Sequence, residues 1–235
     1  MTATPPTTGT FALEAQGLSC GYHGIEVVHG LDLGIEPGEV VAMLGANGAG
    51  KSTTLLTLAG VLRPIAGRVT LNGEPAEGSL QRRARSGLGF LKESTSVFPT
   101  LSVGQNLSLG RVPMEKVFEI APELRGLKRR RGGLLSGGEQ RILAMARALA
   151  AEPKVLLVDE LSLGLAPKVT DHLLGLLRSH ADRGTAVLLV EQHPRKAVAV
   201  ADRVLVLRRG QIVLEAPAED VRARVDDLHD YYFGT

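Results

Sequence analysis

The chain has 235 residues, 44% hydrophobic and 22% charged, which is enough apolar material for one large globular domain or two small ones. Its 27 basic and 25 acidic residues leave a formal net charge of +2, so the charge balance gives no sign of a polyanion-binding surface. The single cysteine, Cys20, excludes an internal disulfide and fits a reducing compartment; no apolar run approaches the roughly 18 residues of a membrane span, and residues 1–10 lack the regions of a signal peptide.

Residues 1–10, rich in Thr and Pro, read as a flexible tail outside the fold, leaving 11–235 as one domain. Phe11 to Leu18 and Leu31 to Glu36 alternate as strands do, and Pro37-Gly38 turns the chain into Val40 to Leu44, a short buried strand. A helix is predicted from about Ser52 to Ala59, closed by Gly60. Arg68 to Leu71 before Asn72-Gly73 reads as one arm of a hairpin. From about Ser94 to Glu152 strand signals vanish and short amphipathic segments predict an inserted helical subdomain. Val155 to Val158 and Ala186 to Val190 are apolar strands with a crossover helix, Val169 to His180, between them. Val204 to Leu207 and Gln211 to Leu214 read as a hairpin around Arg208 to Gly210, and Val221 to Tyr232 as a terminal helix.

Three stretches carry chemistry. Gly45-Ala46-Asn47-Gly48-Ala49-Gly50-Lys51-Ser52 follows a buried strand and opens a helix, the context that a phosphate-binding loop requires. Its glycines let backbone N–H groups face a β-phosphate, Lys51 adds positive charge, and Ser52 offers a hydroxyl to Mg²⁺. Val155 to Val158 then delivers Asp159 and Glu160 past the C-terminal end of a strand, where open α/β sheets bind ligands. Asp159 is placed to hold Mg²⁺ through water, and Glu160 to orient or deprotonate an attacking water. Third, Leu135-Ser136-Gly137-Gly138-Glu139-Gln140-Arg141 has the spacing of a helix capping box. Gly137 and Gly138 inside it free the backbone to approach a ligand at a second helix N-terminus.

Together these motifs resemble the ATP-binding subunits of ABC transporters, from about Phe11 to the end of the chain. The resemblance implies an α/β P-loop ATPase with a mixed sheet core, an N-terminal antiparallel β part and the helical subdomain at about 94–152. It implies ATP and Mg²⁺, with Gly45, Asn47, Gly48, Gly50, Lys51, Ser52 and Thr53 around the nucleotide. Ser136, Gly137 and Gly138 would close on the γ-phosphate of ATP held by the opposite subunit, in a head-to-tail dimer with two shared sites. His193, in Val190-Glu191-Gln192-His193, resembles the switch histidine that contacts that phosphate, and Tyr22 matches the aromatic residue stacked on adenine. Glu93 stands where the family commonly has Gln, and a carboxylate there can still ligate Mg²⁺.

The sequence departs from the family at Leu161, which replaces a proline, and at Ser162-Leu163-Gly164-Leu165, which lacks an aspartate. Ser162 to Pro167, Val97 to Val103 before Asn106-Leu107, and the closing Tyr232-Phe233-Gly234 look like the shorter ATPase of branched-chain amino-acid importers. The resemblance therefore implies a cytoplasmic motor, peripheral on the inner face of the cell membrane, paired with itself or a sister ATPase. Permease subunits would bind it directly and an external substrate-binding protein through them, with no nucleic acid expected. Cargo stays open among branched-chain amino acids, other hydrophobic amino acids, amides and urea. A soluble ABC ATPase acting on nucleic acid or ribosomes is the rival, whereas a kinase or GTPase has no use for Leu135 to Arg141. Lys128-Arg129-Arg130-Arg131 reads as a solvated basic loop or a contact for acidic lipid or nucleic acid.

Overall fold

A computed structural model of the chain describes residues 11–92, 96–110 and 112–225. Its first three elements are β1 (Leu13–Tyr22), β2 (Ile25–Ile35) and β3 (Val40–Leu44), followed by α1 (Lys51–Leu58), β4 (Ala66–Leu71), β5 (Glu74–Pro75), α2 (Leu80–Arg85) and β6 (Leu88–Leu91). A helical stretch comes next: α3 (Val103–Ser108), α4 (Met114–Ile120), two 3₁₀ turns at Pro122–Leu127 and Gly132–Leu134, and α5 (Gly137–Ala150). The chain then runs through β7 (Val155–Asp159), α6 (Pro167–Ala181), β8 (Ala186–Val190), α7 (Pro194–Val200), β9 (Arg203–Arg208), β10 (Gln211–Pro217) and α8 (Ala218–Arg222).

The strands form two sheets. A four-stranded antiparallel sheet has the order β2-β1-β4-β5, and a six-stranded sheet the order β10-β9-β3-β8-β7-β6. In the second, β9, β3, β8, β7 and β6 are parallel and β10 folds back antiparallel at the edge. All four inner strands are apolar runs because both faces are covered. Val40, Ala42 and Leu44 point into a core with the helices from α3 to α8, while Val41 and Met43 point into a core with α1, β1 and β2. The alternation of the pleat thus divides the interior in two, with α1 held between the sheets.

The sequence expectations differ from the structure where regular patterning fails. β1 runs on to Tyr22 and β2 begins at Ile25, because register shifts between Ala15 and Gly21 break the period-two pattern that marks a strand. His23 and Gly24 make the connecting turn, both at positive φ (52° and 80°), as Asn72 and Gly73 do between β4 and β5 (52° and 81°). Neither α2, with three arginines in six residues, nor the short β6, interrupted by Gly89, nor α7 carries an amphipathic signature strong enough to read beforehand. The terminal helix expected from Val221 to Tyr232 begins earlier, at Ala218, and its regular part ends at Arg222; residues 226–235 lie outside the described residues, as do 1–10.

Two guanidinium groups fasten the end of the central sheet where β3 and β9 begin. Arg203 donates to Glu39 Oε1 (2.7 Å), to Glu215 and to the carbonyl of Gly34, joining the two sheets. Arg178, on α6, donates to Asp202 Oδ2 (2.7 Å) and to the carbonyl of Gly38 (3.0 Å). Asp202 Oδ2 also accepts the Val40 N–H at 2.8 Å. Such charge-assisted bonds are stronger than neutral ones and fix geometry as well as contributing energy.

Candidate functional site

The site gathers at the opposite end, past the C-termini of the parallel strands, where this class of sheet holds its ligands. β3 is fully buried and emerges at Gly45, whose φ is 155° and where a Cβ would meet the Leu207 carbonyl oxygen at 2.3 Å. No side chain fits there. From Gly45 the loop curls around Lys51, whose Nζ donates to the carbonyls of Gly45 (2.7 Å) and Ala46 (3.1 Å). The side chain is buried at 5% exposure, and burial pushes its ammonium below the ordinary lysine range while the Glu160, Asp159 and Glu191 carboxylates pull it partly back. Thr54 N to Gly50 O, at 2.9 Å, is the first bond of α1, which leaves the Lys51, Ser52 and Thr53 amides at the open end of the helix.

β7 brings Asp159 to the same place, buried at 5% exposure, with Glu160 following. Asn47, Gly48, Gly50, Lys51, Ser52, Thr53, Val27 and Glu160 line one depression of about 140 Å³. The phosphate loop and the second carboxylate, more than a hundred residues apart in sequence, therefore share a wall. Glu160 has a left-handed backbone (φ 45°), held from both sides: its N–H donates to Val190 O (2.9 Å), and its carbonyl accepts from Arg141 Nη2 (3.1 Å). A larger cleft, about 770 Å³, opens near the start of β7 and β8 beside His180 and Lys116 and shares none of these residues.

Other predicted residues fall as follows. Tyr22 is 44% exposed at the tip of the β1–β2 hairpin, the hairpin whose Val27 lines the depression. Ser136 caps α5 in a full capping box, accepting from Glu139 N (3.2 Å) and donating its own N–H to Glu139 Oε2 (2.7 Å). With Gly137 it is exposed, Gly138 packs toward Val169, and none of the three lines the depression. Glu93 lies outside the described residues; Lys92 just before it gives its carbonyl to Arg141 Nη1 at 2.9 Å. His193 is exposed and sits as N-cap of α7 without a side-chain cap bond, whereas its neighbour Gln192 donates through Nε2 to Asn47 Oδ1 at 2.8 Å.

Sequence reasoning missed three supporting side chains. Arg141, buried at 4% exposure, ties Lys92 to Glu160. Its place in the motif Leu135 to Arg141 was visible, but a cation two residues past a capping box reads as solvated helix surface. Glu191, buried at 1% exposure, accepts the Ser162 N–H and hydroxyl, each at 2.8 Å, joining the loop after Glu160 to the end of β8. Gln192 is the third. Only its adjacency to a strand end marked it.

Comparison with known proteins agrees with this geometry. Residues 28–162 match the family described as ABC transporter. The chain is 38% identical over 207 residues to the high-affinity branched-chain amino acid transport ATP-binding protein BraG of Pseudomonas aeruginosa, covering 84% of this chain and 89% of that protein. It is 33% identical to the lipopolysaccharide export system ATP-binding protein LptB of Acidithiobacillus ferridurans, over 94% of this chain and 96% of that one. A solved ATP-binding subunit of an ABC transporter superposes with a TM-score of 0.83 at 24% identity, covering 94% of this chain and 99% of that chain, and shares its fold.

Proposed function

The chain belongs to the ABC transporter ATP-binding family, and from that membership we propose that it is the motor subunit of an importer for branched-chain or related hydrophobic amino acids. Membership carries ATP binding and hydrolysis. The observation that carries the site assignment is the shared wall of Lys51 and Glu160 in one depression at the head of α1. The cargo reading rests on the 38% identity to BraG and on Ser162 to Pro167.

In this reading, the amides at the start of α1 and the Lys51 ammonium receive the phosphates, and Tyr22 stacks on adenine. Ser52 and Asp159 would hold Mg²⁺, with Glu93 as a further ligand. Among the described residues no cluster of three or more His, Cys, Asp or Glu is arranged to bind a metal. One hydroxyl, one carboxylate and the nucleotide's own oxygens suit this ion, which keeps several waters and is commonly bound that way. When bound it supplies positive charge to the phosphate oxygens. Glu160 orients and deprotonates the attacking water, and its backbone, fixed by Val190 and Arg141, aims the carboxylate before substrate arrives. Ser136, Gly137 and Gly138, away from this depression, complete the site of a second subunit, this chain or a sister ATPase. The helical stretch from about 94 to 152 is a subdomain, and permease subunits at the inner face of the membrane would feel the motion through the loop near Glu93. Among the described residues no helix is long and apolar enough to cross it.

Two variants test the site. Lys51→Ala is expected to weaken ATP binding at least tenfold in a calorimetric titration, since the loop loses the charge it is wrapped around. Glu160→Gln is expected to cut hydrolysis by about two orders of magnitude while ATP still binds. Parent-like ATP affinity in the first, or parent-like turnover in the second, moves the chemistry elsewhere. For the cargo, the assembled transporter with its external binding protein is expected to raise ATP turnover on addition of leucine; stimulation by urea or an amide alone would reassign it.

A further inference from the structure

We propose that the cleft of about 770 Å³ at the start of β7 and β8 is a second ligand site, which takes a small zwitterion with an aliphatic body, an amino acid or a short peptide. It shares no residue with the phosphate depression, so the proposal stands apart from the nucleotide site. Its size lies within the range of clefts that hold small organic ligands, roughly 300 to 1,000 Å³. Three parts of the chain wall it: α4 with Lys116 and Ile120, the segment leaving α5 with Glu152 and Lys154, and the end of α6 with His180 and Arg183.

Polar groups of both signs line the cleft and are only partly spent on each other. Lys116 Nζ and Glu152 Oε1 pair at 2.7 Å. Glu152 has a left-handed backbone (φ 50°) just past α5, where helices commonly place glycine, so a carboxylate is kept there against its conformational preference. Among the described residues Lys154 and Glu119 form no ion pair, and the Arg183 guanidinium donates only to the Ser179 hydroxyl, at 3.0 Å. His180 is the buried member, 8% exposed; its Nδ1 gives a proton to the Leu176 carbonyl at 2.8 Å, and burial holds the imidazole below its ordinary value. The ring is therefore neutral near neutral pH, and its Nε2 is a bare acceptor with no partner among the described residues. Helices α4, α5 and α6 also end beside the cleft, at Ile120, Ala150 and Ala181, and the carbonyl end of a helix favours positive charge.

The occupant follows from that distribution. An ammonium finds His180 Nε2, Glu119 and the helix ends, a carboxylate finds Lys154 and Arg183, and an aliphatic body finds Ile120, Leu149 and Leu176. A simple anion would face the helix ends and Glu119 with nothing to offer them, and a simple cation would face Lys154 and Arg183. A zwitterion answers both sets. Once bound it ties α4 to α6 and braces the helical stretch against the sheet.

The full chain is titrated by calorimetry with L-leucine, with leucyl-leucine, and with two analogues of leucine that keep one charge each: 4-methylpentanoate and 3-methylbutylamine. Saturable binding of a zwitterion is expected, the tighter of the two telling amino acid from peptide, with both single-charge analogues about tenfold weaker or worse. Hydrogen exchange is expected to slow in α4 and at the end of α6 when the zwitterion is present. Replacing the exposed pair Lys154→Ala and Arg183→Ala together is expected to cost about tenfold in zwitterion affinity, while ATP affinity stays within about twofold of the parent's. No saturation by either zwitterion up to about 10 mM would overturn the proposal. So would equal binding of either analogue, protection confined to other elements, or parent-like zwitterion affinity in the double variant.

Discussion

A single backbone conformation concentrates much of what the site needs. A left-handed φ at a residue other than glycine costs on the order of 1 to 3 kcal/mol, and Glu160 sustains it only because Val190 and Arg141 hold the peptide groups on either side. Arg141 does this with two prongs of one planar group, the other reaching Lys92. Arg141→Lys keeps the charge and loses the fork, so hydrolysis is expected to fall about tenfold or more while ATP affinity changes less than twofold. A phosphate-release assay beside a binding titration checks it, and an equal loss in both would make Arg141 a general support of the fold. At this scale the sequence was legible wherever chemistry is local. Gly45, Lys51, Ser52, Asp159 and Glu160 announced themselves by spacing along one strand or one loop. Arg141 and Glu191 did not, because their partners lie 19 to 49 residues away. The bond from Gln192 to Asn47 was equally hidden, because its two partners lie 145 residues apart.

Elements show the same division. The capping box at Ser136 and Glu139 and the apolar strands Val40 to Leu44, Val155 to Val158 and Ala186 to Val190 were readable, because caps and buried parallel strands carry their own patterns. The first half of β2 was not, since bulges interrupt its alternation. One element also carries a proton-linked term. His180, near the end of α6, bonds Leu176 O through Nδ1 at 2.8 Å, and burial chiefly, with Arg183 adding to it, pushes its imidazole below the ordinary value; the Leu176 bond and Glu152 oppose this. The unfolded chain therefore accepts a proton that the folded chain resists. Stability from this group is complete above the ordinary imidazole value of about 6.5 and is lost as pH falls below it. The midpoint of thermal unfolding is expected to drop between about pH 7 and pH 5.5, and His180→Gln to flatten that drop. A slope unchanged in His180→Gln would assign the acid sensitivity to other groups.

At the scale of the whole molecule, one surface stands apart from the candidate phosphate site. Ser136 and Gly137 stand exposed at the head of α5, outside the depression that holds Lys51. Ser136→Arg is expected to leave ATP binding to the isolated subunit intact and to abolish turnover. Mixing it with Lys51→Ala leaves one composite site with both motifs unaltered, and partial hydrolysis by the mixture is the expected result. Full turnover by Ser136→Arg alone would return the motif to a helix cap. The family was legible at this scale because its motifs are short and contiguous, whereas those motifs are chosen by the phosphate chemistry and carry no mark of a cargo. The guanidinium network of Arg178 and Arg203 lies at the other end of the same strands. It works as a corner bracket, because Arg203 spans the two sheets through Glu39 and the Gly34 carbonyl. The base of the central sheet therefore cannot slide past the antiparallel sheet without breaking charge-assisted bonds, so the two sheets are squared to one another at the end farthest from the phosphate loop.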